Sequence, residues 1–292
     1  MIISTLFGSS SAISHELTSS DGLLRTPLAL SRRIGFVQLR GGTGASSTAG
    51  YVASMLARRR AGMVLAVNAS AGEMNLLWQA GLTRSTAHGA TDQQRRSHPS
   101  AAADARAGLP VTGTGLIALD LARDHLSVSA GTWFEQVTPI ARFYDLVITD
   151  WGVRHRQVDL RQVAGASHVV CLVARADRYP AEEAAALLPA LSQTEDHPRV
   201  VLALVDVGRT ADRTPQLLRS QLQMPVLTIP YDPLRAAVRP LASRRLPTRT
   251  RLAYTRLCTA LMAEAVRPDY RRLVVPQPNE NQPAGAAGGG RS

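Results

Sequence analysis

The sequence predicts an α/β protein of three layers, α/β/α, built on a mostly parallel, twisted sheet of about seven strands. Three observations predict it. Seven short β-branched or leucine-rich runs recur along the 292 residues, at 34–39, 63–67, 115–119, 145–150, 168–173, 200–205 and 226–229. Each is a continuous apolar run, as strands buried on both faces require. The segments between them carry helical spacing, so strand and helix alternate throughout, the pattern of right-handed βαβ crossovers.

The first run is followed by Ala49, Val52, Ala53 and Leu56, which share one face of a helix ending in Arg58, Arg59 and Arg60, where positive charge suits the helix dipole. The last helix, 249–266, sets Ala253, Leu257 and Leu261 beside Tyr254, Cys258 and Met262, a broad apolar face of the kind that packs on a sheet. The domain so defined spans 32–268. Before it, 1–31 has little apolar periodicity and reads as a lead-in arm. Inside it, 83–112 is rich in Ser, Ala, Gln, Arg and Pro and reads as a long polar loop with room for one short helix. After it, 269–292 reads as a disordered tail, since its Pro, Gly, Asn and Gln bury too little to offset ordering entropy. No internal repeat is present.

With 45% hydrophobic residues the chain can bury a large core. Cys171 and Cys258 lack metal-ligand spacing and lie in apolar or helical segments, so they read as buried free thiols, which fits a reducing cytoplasm. No run of 18 apolar residues exists, and the apolar start has no basic lead, which argues against a membrane span or export. The net charge of +11 comes from 33 basic residues, all arginine and all scattered, a usage that looks like a GC-rich genome. Scattered charge does not by itself mark a nucleic-acid interface, and non-specific DNA binding rests on that charge alone. The seven histidines, His155 included, show no HExxH or other ligand spacing, and no GxSxG elbow occurs.

The loop after the first strand reads Arg40, Gly41, Gly42, Thr43, Gly44, Ala45, Ser46, Ser47. Strand, glycine-rich turn and helix start form an anion-binding arrangement, because glycines let backbone N–H groups face a phosphate and the helix dipole adds positive potential. The same glycines also serve a tight βα turn with no ligand at all. Serine at the helix start is expected to cap it. A working P-loop places lysine just before the hydroxyl residue, where it reaches the β- and γ-phosphates while the hydroxyl ligates magnesium. Here that position is Ala45. A methyl group supplies no charge, and hydrolysis should fall by roughly a hundredfold or more.

This loop resembles the deviant Walker A motif of the ParA/MinD (SIMIBI-class) P-loop family, KGGxGK followed by two hydroxyl residues, with both lysines replaced. The resemblance implies that Arg40 stands where a lysine reaches across a nucleotide-sandwiched dimer, and that Ser46 keeps the magnesium hydroxyl with Ser47 beside it. Asn68, at the end of the second strand, stands where the family usually has an aspartate that positions water and metal. In 144–152, YDLVITDWG, Asp150 is similar to the Walker B aspartate that holds magnesium through water. Asp206 takes the place of an Asn that reads adenine, and Pro230, Tyr231, Asp232 and Pro233 match the family's PYDP turn beside the base. The flavour is similar to the MinD-like, EspI-like proteins associated with actinobacterial type VII (ESX) secretion.

The resemblance runs from about Arg32 to Val266 and implies a P-loop NTPase-like fold with ATP and magnesium as ligands. It also implies a homodimer, partners in a secretion or positioning machine, and, through Arg267, Arg271 and Arg272 after the last helix, peripheral membrane association. With Ala45 in place the expected protein is a degenerate, regulatory member. An atypical active ATPase, with arginine supplying the missing charge, and a partition-like DNA-binding protein stand as alternatives.

Overall fold

The computed structural model describes residues 15–82, 89–122, 126–154, 157–236, 240 and 246–267. Seven strands appear in chain order: β1 (Arg32–Gln38), β2 (Val64–Asn68), β3 (Ile117–Asp120), β4 (Leu146–Val153), β5 (Val169–Arg175), β6 (Arg199–Val205) and β7 (Val226–Ile229). They pair in the order β3-β2-β4-β1-β5-β6-β7, and every pair is parallel. The seven apolar runs thus become seven strands of one sheet.

Helices cover both faces, so each strand buries both sets of alternating side chains. On one side lie α1 (15–25), α2 (Ala45–Arg59), α3 (Leu76–Gln79) and α11 (Thr248–Val266), packed on Ile34, Phe36, Val64, Ala66, Val169 and Cys171. On the other, α6 (Ala130–Ala141), α7 (Gln157–Gly165) and α8 (Arg178–Ser192) pack on Val37, Leu65, Val67, Val170 and Leu172. The period of two puts Leu65 and Val67 on one face and Val64 and Ala66 on the other. Burying each large apolar side chain contributes about 1.5–3 kcal/mol, so the sheet is the principal source of stability. The helical face read from the sequence is fully buried at Ala49, Val52, Ala53 and Leu56. The final helix likewise buries Tyr254, Leu257, Cys258, Leu261 and Met262.

Two segments differ from the sequence reading. Part of the expected arm is the helix α1. It lacks an apolar stripe because only Leu24 is fully buried in the core, with the neighbouring Leu23 half-buried against it, while polar groups hold the rest. Arg60 donates to Leu24 O (2.9 Å) and Thr26 O (3.0 Å), Arg59 pairs with Asp21, and Arg256 Nη2 meets Glu16 Oε2 at 2.9 Å.

The expected polar loop holds two short helices, not one: α4 (Ala90–Ser97) and α5 (Ala102–Ala105), with 83–88 outside the described residues. They are fixed by polar contacts that periodicity does not reveal. Asp104 Oδ2 accepts from the N–H groups of Ser100 (3.3 Å) and Ala101 (3.2 Å), and Arg95 Nη2 lies 3.0 Å from Asp104 Oδ1. Two further helices complete the chain, α9 (Thr214–Gln221) and α10 (Pro233–Ala236). The expected disordered tail, 269–292, lies outside the described residues, and so do His155, Arg271 and Arg272.

Candidate nucleotide site

The glycine loop opens at the carboxyl end of β1. Residues 39–44 turn the chain into α2 through two glycines with left-handed backbone, Gly42 (φ 76°) and Gly44 (φ 84°). Gly44 is the N-cap of α2 and has no side chain with which to cap it. The serine cap expected from the sequence is therefore absent. Left-handed Gly44 starts the helix so early that Ser46 and Ser47 fall inside its first turn. That turn holds no acidic residue, so its N–H groups and the positive end of the dipole face the carboxyl edge of the sheet. The Thr43 hydroxyl donates to Gln38 Oε1, tying the loop to the strand it leaves, and Ala45 is buried behind it.

On one side of the loop lies a polar cluster. Asp150 is fully buried, and burial raises its pKa. The Ser46 hydroxyl, the Gly152 N–H, the Ser70 hydroxyl and the Leu76 N–H act in the opposite sense without cancelling it. Gly152 donates to Asp150 Oδ1 at 3.0 Å. The Ser70 hydroxyl bridges Asp150 Oδ2 (3.3 Å) and Asn68 Oδ1 (3.0 Å). Asn68 Nδ2 in turn donates to Asp120 Oδ1 at 2.8 Å.

The strand carrying Asp150 does not stop there, as the sequence reading has it. β4 continues to Val153 through a bulge, with Phe36 opposite Asp150 and Gln38 opposite Val153. Gly152 (φ 65°) permits the bulge, and a Cβ at that position would lie 2.6 Å from Ser70 Cβ.

On the other side is a cavity of about 250 Å³ lined by Gly42, Gly44, Ser47, Asp206, Val207, Tyr231, Asp232 and Arg235. Three segments far apart in sequence meet here: the glycine loop, the turn after β6 and the turn after β7. Asp206 Oδ1 accepts from the N–H groups of Gly208 (3.3 Å) and Thr210 (3.1 Å), which shapes its turn. Asp232 Oδ1 accepts from the Leu234 N–H at 3.0 Å. Its Oδ2 is buried with no hydrogen-bond partner among the described residues. Tyr231 carries the Arg209 guanidinium 4.8 Å above its ring.

No protein-family model matches the chain, and no curated protein matches it in sequence. Solved structures do match. A ParA family ATPase from Chlorobium tepidum TLS superposes with a TM-score of 0.59 at 18% identity, over 78% of this chain and 98% of that one. The septum site-determining protein MinD complexed with Mg-ADP, from Pyrococcus horikoshii OT3, superposes with a TM-score of 0.59 at 16% identity, over 78% and 94%. The fold is that of the ParA and MinD ATPases. The MinC:MinD cell division complex of Aquifex aeolicus gives a TM-score of 0.60 at 16% identity, over 82% of this chain and 98% of that one.

Within the ParA/MinD fold the residues singled out in the sequence divide into groups. Gly42, Gly44, Ser47, Asp206, Tyr231 and Asp232 surround the cavity, with Gly41 exposed at the loop's tip and Pro230 leading into the last turn. Ser46, Asn68 and Asp150 belong to the polar cluster. Arg40 joins neither group: its guanidinium binds Glu183 on α8, and the Tyr179 ring lies 5.4 Å from it.

Sequence reading missed Asp120, Ser70 and Arg235. Asp120 ends β3 as Asn68 ends β2, in register beside it, so a polar residue closing a short apolar run is the signal that would have found it. Arg235 gives no such signal, since it is one arginine among many.

The residues present fit a nucleotide and magnesium. An uncapped helix start suits a phosphate chain, and a hydroxyl against a buried carboxylate supplies hard oxygen ligands of the kind magnesium uses together with phosphate and water. Among the described residues no group of three or more His, Cys, Asp or Glu could hold a metal by itself. A magnesium ion here would therefore depend on the phosphate oxygens of its ligand.

Proposed function

We propose that this chain is a nucleotide-binding pseudo-ATPase on the ParA/MinD scaffold, a regulatory or localising component of a larger machine. One observation carries the reading. The residue before Ser46 is Ala45, buried with 1% exposure, and the chain contains no lysine to take its place. The binding parts remain around it. Gly42, Gly44 and the α2 N–H groups would receive the phosphates. Ser46 and Asp150 would hold magnesium, whose chemistry when bound is to neutralise developing phosphate charge. Tyr231 and Asp232 would flank the base, with the unpartnered Asp232 Oδ2 ready to accept from an amino group. Asn68 cannot serve as a base: it is an amide whose donor and acceptor are both engaged.

The machine served is a positioning system or an actinobacterial type VII secretion system, in keeping with the sequence resemblance, and the active form is a homodimer in the cytoplasm. Among the described residues no helix is long and apolar enough to cross a membrane, so membrane contact would be peripheral. The second reading is an active, atypical ATPase, which the closeness of Ser46 to Asp150 favours. Phosphate release from ATP with magnesium separates the two. The pseudo-ATPase releases no more phosphate than its Asp150→Ala variant, whereas robust magnesium-dependent turnover abolished by Asp150→Ala overturns the reading. Gel shifts at low salt with arbitrary duplex should show no DNA complex.

A further inference from the structure

We infer that Arg235 is the cation that receives the phosphate chain of a nucleoside polyphosphate in this protein. The inference rests on the nucleotide-binding part of the function proposed above and adds the residue that makes binding possible without a loop lysine. Arg235 lies on α10, just after the PYDP turn, and lines the 250 Å³ cavity together with Gly42, Gly44 and Ser47. A Cβ built on Gly44 would lie 3.2 Å from Arg235 Nη2, so the guanidinium sits at the very start of α2. Its guanidinium carbon lies over the ring of Tyr254, 5.3 Å from the centroid, and Tyr254 in turn stacks on Tyr51 at 4.2 Å. A cation–π contact restrains a guanidinium while leaving its N–H groups free.

The guanidinium is open to an anion. Arg235 forms no ion pair among the described residues. Asp206 and Asp232 line the same cavity, yet each turns Oδ1 to backbone N–H groups. The guanidinium and the positive end of the α2 dipole therefore face the same space, where a phosphate would gain from both. A second feature points to the same ligand. Asp232, which lines that cavity, keeps a buried Oδ2 without a hydrogen-bond partner among the described residues, an acceptor that a ligand's amino group would satisfy. A molecule with phosphates at one end and an amino group at the other satisfies both. Arg40 is held by Glu183, while Arg209 over Tyr231 and Arg249, which donates to Tyr231 O at 3.2 Å, lie beside the same turn without lining the cavity.

The test is calorimetric titration of the full chain with magnesium-ATP and with adenosine, on the wild type, Arg235→Gln and Arg235→Lys. A phosphate contact from a guanidinium supports a loss of ATP affinity of roughly tenfold to a hundredfold in Arg235→Gln, partial recovery in Arg235→Lys, and unchanged adenosine binding. Equal ATP affinity in wild type and Arg235→Gln overturns this assignment and leaves the nucleotide-binding reading standing. Tighter binding by Arg235→Gln overturns it too, since the guanidinium would then be an obstruction. A wild type that binds no ATP removes both conclusions. Should Arg235→Gln fail to fold, Arg235→Lys alone decides, because losing the fork must still weaken ATP several-fold.

Discussion

Arg40 grips Glu183 with both edges of its guanidinium, Nε to Oε2 at 3.0 Å and Nη2 to Oε1 at 3.0 Å, and so the only charged side chain of the glycine loop is committed to α8. The hydrogen bond from Arg40 lowers the pKa of Glu183, and Glu183 in turn raises that of Arg40. If Arg40 acts across a dimer, as the family resemblance implies, the pair must open first. Glu183→Ala is thus expected to increase self-association in the presence of magnesium-ATP, as read by light scattering, and Arg40→Ala to abolish it. Arg40 is exposed and Glu183 half-buried in a surface pair, so neither change should move the melting temperature appreciably. Unaltered self-association in both variants would remove the dimer role from Arg40.

Asp150 is the residue for which stability and binding conflict most. Burial raises its pKa, so the folded chain holds that proton more tightly than the unfolded chain. The stability this group contributes is therefore full below its unfolded value of 3.8 and is lost as pH rises through the folded value. At neutral pH without metal the buried carboxylate opposes folding. Asp150→Asn keeps the shape and the bond from Gly152 while removing the charge. It is expected to stabilise the ligand-free protein by roughly 1–2 kcal/mol, and to lose the rise in melting temperature that magnesium-ATP gives the wild type. A ligand-free Asp150→Asn protein that melts lower than wild type would show that the ionised carboxylate is held favourably.

The sheet was legible in the sequence because its signal is redundant. Strands buried on both faces, such as 169–175, consist almost wholly of apolar residues, and no alternative element suits so short a run. The helix α1 was not legible, since only Leu24, with half-buried Leu23 beside it, ties it to the core and its other ties are polar contacts to Arg59, Arg60 and Arg256. The same holds for the site. Ser46 and Asp150 were readable from motif and order, but the bridge from Ser70 to both Asn68 and Asp150 depends on how β2 and β4 lie side by side. Arg235 becomes visible only when the turn after β7 is seen to face Gly44.

The two thiols supply a prediction about alkaline stability. Both are fully buried, and burial pushes Cys258 up to about 12 and Cys171 higher still. Tyr51 is raised by burial in the same sense, to about 12. Groups with raised folded values contribute stability that is intact below their unfolded values, 9.0 for the thiols and 10.0 for Tyr51, and fades as pH climbs toward the folded ones. The urea midpoint should accordingly fall steadily above about pH 9. A thiol reagent at pH 8 should label neither cysteine in the native protein and both in denaturant. Rapid labelling of Cys258 in the native protein would place α11 in exchange with an open state.

Placing at position 68 the aspartate that the sequence resemblance implies there should damage this protein. Asn68 Nδ2 donates to Asp120 Oδ1 at 2.8 Å, and both side chains are buried, Asn68 completely and Asp120 to 9% exposure. Asn68→Asp replaces that donor with a second carboxylate oxygen at hydrogen-bond distance, so one of the two must hold a proton or the pair must separate. The expected cost is about 2–4 kcal/mol at neutral pH, easing as the pH falls and the pair takes up a proton. Exchanging the roles, with Asp120→Asn added to Asn68→Asp, returns a donor to the bond and should recover most of the loss. The double-mutant cycle in urea measures that coupling directly. A coupling near zero would mean that the Asn68–Asp120 bond does not hold the ends of β2 and β3 together.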